Sequence, residues 1–462
     1  FWNYSGGDYA GTWKKRKEGQ PFFTVFNIGH SHESRAFGDH KDESTDPDKM
    51  ILAPYHPDLP EMRNTYAKYA TAVAKMDESV GEAVAKLKQD KLYENTIIIY
   101  NSDHGGVLAR SKRFLYSSGI HCPLIVRIPE KWKHLYPESK KPGTTIDRIV
   151  SFIDMPKTWL SLTGAKITEN FQGRIFLGPD TEPEARYHFS WRERADERFD
   201  NVRVMRDEQF AYHKNYAPFA PNGQYLAYMH NMKATGAWER HHQAGKTNAV
   251  TGRFFEPRPS EEFYDNFKDF HNIDNQIDDP LHQTKIKELK KELRRQQLKY
   301  FDSGLMPEEM RNRMIKEKKT TVYAFVRDPK LYPLAKYLDY ADLALTRNKK
   351  KLKILTKGLS SEDSVIRYWS VVGLLLLEKE AKPAISALKK ALDDSDEIPA
   401  LAAWAIYKAG DKAFAEKWML ETITNNPGNK MLANVLDWMD EGSFSILAKI
   451  PSDKLPQKGL LK

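Results

Sequence analysis

A layered α/β fold is what this sequence predicts, and three observations predict it. Thr96–Tyr100 is a β-branched run that ends at Asp103-His104 and a glycine pair, in "IIIYNSDHGG". Between Pro60 and Gln89 apolar residues recur at helical spacing (Tyr66, Tyr69, Val73, Met76, Val80, Val84, Leu87), with Pro60 placed where a helix starts. "CPLIVRIP" (Cys122–Pro129) is a second β-rich run, bounded by prolines. Strand, long helix and strand in that order predict a layered domain with a largely parallel sheet.

The elements follow in chain order. "PFFTVFNIGHSHESR" (Pro21–Arg35) reads as a buried strand that breaks at Gly29 into a loop of His, Glu and Ser. In parallel sheets ligands sit beyond the carboxyl ends of strands, where His32 and Asp103-His104 are expected. From Tyr187 to about Pro259 short aromatic and basic pieces alternate, which predicts an antiparallel sheet with hairpins. "KIKELKKELRRQQLKY" is a charged helix. Beyond it the texture is helical, and "LSSEDSVIRYWSVVGLLLL" from Leu359 overlays "LDDSDEIPALAAWAIYKAG" from Leu392 at an offset of 392 − 359 = 33 residues. That period predicts paired-helix repeats of the HEAT type, semi-independent in folding, with a surface for a partner or for packing on the preceding domain.

Composition narrows the function. The 462 residues, 40% of them hydrophobic, are those of a folded protein with a large core. A formal charge of +9 arises from 72 basic and 63 acidic residues that are interleaved almost everywhere, which gives nucleic-acid binding little support but suits an anionic substrate. Cys122, the single cysteine, excludes an intrachain disulfide and a thiolate metal cluster. No apolar run approaches the ~20 residues of a membrane span. The opening "FWNYSGG" has neither an initiator methionine nor a signal-peptide core, so the natural N-terminus is expected to lie upstream.

Asp103 and His104 offer a hard oxygen and an imidazole on a glycine-flanked loop. Around them stand Asp77/Val80/Gly81, Asn95–Ile99, Ser102–Gly105, Lys112, Leu115–Tyr116, Gly119 and Pro123–Val126, in that order. This succession closely resembles the sulfatases of the alkaline phosphatase superfamily, over roughly Pro21 to Met310. The resemblance implies an alkaline-phosphatase-like α/β catalytic part (1–180), a smaller antiparallel subdomain (181–310), a linker (311–347) and the helical repeats (348–462). It implies hydrolysis of sulfate esters, or N-sulfate, on a carbohydrate, with a periplasmic or secreted location. Asp103 and His104 match two ligands of a divalent cation, usually calcium. Lys112 matches the lysine that contacts sulfate, and His32 the histidine that protonates the leaving oxygen, with His30 as its competitor. Arg192, Arg194 and Arg198 are candidate binders of sulfate or uronate groups, since guanidinium matches planar anions.

One departure stands out. Family members carry a Cys or Ser in C/S-x-P-x-R, converted to the formylglycine nucleophile, and no such motif occurs in this chain. The chain is therefore expected to hold half an active site and to be inactive alone. Two alternatives stay open: a phosphodiesterase or phosphonate hydrolase of the same superfamily, and a non-catalytic binding module on a degenerate fold.

Overall fold

The computed structural model describes residues 6, 13–42, 44–137, 141–194, 196–439 and 449–450; the outermost parts of the expected catalytic and repeat regions lie outside them. The described chain forms two compact units, one from residues 1–112, 116–188 and 231–238, the other from 113–115, 189–230 and 239–462.

The first unit is built on helix α1 (Pro60–Gln89), which starts at Pro60 as predicted. Its most buried line is Met62, Thr65, Ala67, Ala72, Ser79, Ala83 and Leu87. Val73, Met76, Val80 and Val84, which the periodicity also marked, flank it half-buried. Strand β1 (Ile98–Asn101) pairs antiparallel with β2 (Leu124–Arg127), Ile98 opposite Arg127 and Asn101 opposite Leu124. Here the expectation of a largely parallel sheet is corrected for the described residues. Among the described residues the run before Gly29 belongs to no strand, and its alternate residues turn outward, with Phe23 and Val25 exposed. A β-rich pattern specifies extended backbone and two faces; pairing and direction depend on which neighbour supplies the ladder. Helix α2 (Asp154–Leu162) closes the unit, its Thr158 hydroxyl donating to the Asp154 carbonyl.

The second unit holds a four-stranded sheet of β3 (His188–Arg192), β4 (Val202–Arg206), β5 (Phe210–Asn215) and β6 (Glu261–Asp265), in that spatial order. β4–β5 and β5–β6 are antiparallel, in keeping with the alternating aromatic and basic pattern. Helix α3 (Gln283–Lys299) buries Ile286, Leu289 and Leu293. Among the described residues seven α-helices of seven or more residues follow: α4 (Glu308–Glu317), α5 (Leu334–Ala344), α6 (Leu352–Gly358), α7 (Ser364–Leu377), α8 (Ile398–Ala409), α9 (Lys412–Asn425) and α10 (Lys430–Met439). α7 is buried on nearly every side, as expected of an apolar helix between layers. The core of these helices is continuous with Tyr216, Ala217, Phe219 and Ala220 of the sheet region. Phe219 lies edge-on to Trp404 at 5.8 Å, and Trp369 Nε1 donates to the Leu305 carbonyl at 2.9 Å.

Candidate functional site

The loop that follows β1 folds back on itself through backbone bonds. Gly105 N–H donates to Gly119 O (2.8 Å), Gly106 N–H to Ser118 O (3.0 Å) and Lys112 N–H to Gly106 O (2.8 Å). A Cβ at Gly105 would run into the Ser118 carbonyl, so only glycine permits this approach. Arg110, at φ +68°, lies between the rings of Tyr55 (4.3 Å) and Tyr116 (4.0 Å), which hold a backbone conformation that costs about 1–2 kcal/mol. Buried His56 clamps the same loop. Its Nε2 lies 2.9 Å from Ala109 O, and a carbonyl only accepts, so Nε2 carries the proton and Nδ1 accepts from the Tyr66 hydroxyl at 2.7 Å.

On this scaffold Asp103 is 90% exposed and His104 half-buried. His104 Nδ1 lies 2.8 Å from Gly105 O, so by the same logic it donates there and leaves the Nε2 lone pair free to ligate. That nitrogen is 3.7 Å from Asp103 Oδ1. Two electron-pair donors this close together are of the kind that suits a cation. Asp103's negative charge also reaches Cys122, whose thiol is pushed up by burial first and by that charge second. Two donors alone do not make a metal site, and among the described residues no cluster of three or more His, Cys, Asp or Glu is arranged to hold one.

Lys112 and the His32 loop meet through a residue that sequence reasoning passed over. Lys112 Nζ is 3.4 Å from Glu33 Oε2, and the Glu33 side chain is fully buried while Lys112 keeps 23% of its surface. His32, exposed, turns its Nδ1 to Ser34 Oγ at 2.9 Å and caps the turn that contains Glu33. His30 is exposed in the preceding 3₁₀ turn. The three arginines lie in the second unit and are engaged there. Arg192 is buried and 3.2 Å from Asp200. Arg198 is fully buried, donating to Tyr225 O and 3.5 Å from Asp437. Arg194, half-exposed, pairs with Glu308 at 2.6 Å.

The description "Sulfatase" belongs to the family model that matches residues 7–165. The sulfatase likeness extends further in single relatives. An ulvan-active sulfatase of Formosa agariphila is 32% identical over 335 residues, 64% of this chain and 54% of that protein. An N-acetylglucosamine-6-O-sulfatase of Bacteroides thetaiotaomicron is 32% identical over 131 residues, 28% and 22% of the two chains. A solved 2-O GAG sulfatase overlaps 59% of this chain and 57% of its own, at 15% identity and a TM-score of 0.38. The chain thus spans about half the length of the ulvan-active relative and less of the other curated one.

Proposed function

We propose that this chain supplies part of a sulfatase that removes sulfate esters from a sulfated polysaccharide of the ulvan class. The observation that carries the reading is the Lys112–Glu33 pair, which brings two stretches 79 positions apart (112 − 33 = 79) to the loop bearing Asp103 and His104. In this proposal Lys112 faces the sulfate, where a fixed ammonium stabilises charge that builds on the transferring group. Glu33 orients that ammonium from its buried side. His32 donates a proton to the leaving alcohol oxygen. Asp103 and the His104 Nε2 would hold a divalent cation, calcium by resemblance, which supplies positive charge beside the sulfate oxygens. Two donors fall well short of calcium's usual six to eight oxygens, so the chain alone should hold calcium weakly. Of the three arginines Arg194 stays the proposed anion binder, its guanidinium half-exposed, whereas Arg192 and Arg198 are buried against Asp200 and Asp437 and not open to a substrate. We read α7 and α8 with the helices that follow them as HEAT-like pairs.

No C/S-x-P-x-R motif occurs among the 462 residues, so we infer that the chain by itself releases no sulfate. Supplied with a segment bearing that motif, in a host that makes formylglycine, it should release sulfate from ulvan, and Lys112→Ala should abolish at least 90% of the release, about 1.4 kcal/mol or more of barrier. His32→Ala should slow ulvan far more than 4-nitrophenyl sulfate, whose leaving group needs little protonation. Sulfate release by the unsupplemented chain above its Lys112→Ala variant would show that the machinery lies elsewhere. A sulfatase of this kind works outside the cytoplasm by resemblance, and among the described residues no helix is long and apolar enough to cross a membrane.

A further inference from the structure

Charges of opposite sign alternate along most of this chain, but not between Asp342 and Glu362. Those 19 intervening positions hold Arg347, Lys349, Lys350, Lys351, Lys353 and Lys357, and no carboxylate. The structure places the lysines on one corner of the helical region. Lys349–Lys351 form a 3₁₀ turn whose start is capped by Asn348, its side chain accepting from Lys350 N–H at 3.0 Å. The turn runs directly into α6, where Lys353 and Lys357 are spaced i, i+4 and so share a helix face. Leu355, buried in the helical core, and half-buried Leu352 anchor the corner.

The lysines are not neutralised. Lys349, Lys350, Lys353 and Lys357 are exposed and Lys351 partly so, and among the described residues none of the five is in an ion pair. Two carboxylates that flank the corner are already taken: Asp342 holds Lys214 at 2.9 Å and Asp363 holds Lys336 at 2.9 Å. Arg347 is turned away, donating to the Arg258 carbonyl at 3.3 Å. Five like charges within nine residues repel one another and lower helix stability, a cost that an anion would relieve.

We infer that this corner binds a sulfated polysaccharide, as a surface that retains the polymer and is separate from the residues proposed for chemistry. The partner's class follows from what the corner contains. Ammonium groups on flexible stems suit sulfates repeated along a chain without demanding one fixed geometry. Nucleic acid fits less well, because no aromatic side chain lies between Tyr340 and Tyr368 to stack on a base, and no guanidinium at the corner is left to clamp phosphates. The choice of a sulfated sugar polymer rests on the function proposed above, whereas binding is measured without hydrolysis. Sulfate release and retention can therefore fail separately.

The test uses the whole chain and four probes: dextran sulfate, unsulfated dextran, ulvan and duplex DNA, each titrated across rising sodium chloride. The variant replaces Lys349, Lys350, Lys351, Lys353 and Lys357 by Gln. A control of equal charge replaces the exposed Lys379, Lys382, Lys390, Lys412 and Lys417 of the same region by Gln. Matching thermal melts establish that both are folded. The corner variant should bind dextran sulfate and ulvan at least about tenfold more weakly, with a flatter dependence of affinity on salt, because fewer counterions are released. The control should stay within about threefold of the parent. Equal losses in the control, binding of plain dextran as tight as dextran sulfate, or tighter binding of DNA than of either sulfated polymer would each overturn the assignment.

Discussion

At the scale of single residues, the Lys112–Glu33 pair ties a proposed sulfate-facing group to a buried carboxylate. The motifs around Lys112 and His32 are what nominate them for the proposed chemistry. Glu33 was not legible in the sequence, since a carboxylate beside a histidine in a polar loop reads as solvated, and only the fold shows it fully buried. Removing the ammonium leaves that carboxylate short of a cation. Lys112→Met should therefore lower stability by about 1–3 kcal/mol, and adding Glu33→Gln should return part of the loss. Urea unfolding of the two single variants and the double variant measures the coupling; strict additivity would mean that the pair contributes nothing. Gly105 makes a steric prediction at the same loop. Gly105→Ala must push the Ser118 carbonyl away, with an expected cost of about 2 kcal/mol or more, and should raise hydrogen exchange at the Gly105 and Gly106 amides.

At the scale of elements, pattern determined type far better than partner. Helix α1 begins where Pro60 allows it, and the antiparallel strands of the second unit fall where aromatic and basic residues alternate. Direction in the first unit escaped, because Ile98–Tyr100 carries the same β-branched signal whether its neighbour runs parallel or antiparallel. Another element-scale feature lay outside periodicity altogether. Glu397, just before α8, accepts from the Glu309 and Met310 N–H groups in the first turn of α4, at 2.8 and 3.2 Å. Burial, with the nearby charges of Glu309 and Asp396, pushes its carboxyl up to about 7 from an ordinary 4.5. A carboxyl raised on folding favours the native state in its protonated form. Its contribution is complete below about 4.5 and is lost as the pH rises toward 7. The melting temperature should thus fall between pH 5 and 8, and Glu397→Gln should flatten that slope by an amount on the order of 1–3 kcal/mol. An unchanged slope in the variant would place the titrating group elsewhere.

At the scale of the whole molecule, the paired-helix region was expected to fold semi-independently, and its packing argues otherwise. Tyr216, Ala217, Phe219 and Ala220 lie in the same core as α5–α10, and Trp438 Nε1 donates to Gln224 Oε1 at 2.9 Å. A chain ending at residue 347 would expose Phe219 and Tyr216 and lose the rings of Trp369, Trp404 and Trp438 that cover them. Such a fragment should bind 8-anilinonaphthalene-1-sulfonate and lack a cooperative melt for its second unit, because removing that much buried surface costs more than a domain's marginal stability. A sharp melt near that of the full chain would restore the independent reading.

What the sequence determined by itself was local and ordered. Motif order pointed to the sulfatase likeness that the family model finds at residues 7–165, and the helical texture of the last third was plain in the residues. These are short-range properties, set by neighbours within a few positions and by the linear succession of motifs. Only the tertiary structure decided that β1 and β2 run antiparallel, that Glu33 is buried against Lys112, and that the helices share the core of Phe219. Each of those rests on contact between stretches far apart in the chain. Such contacts form when several apolar faces are buried at once, so no single segment of sequence encodes them.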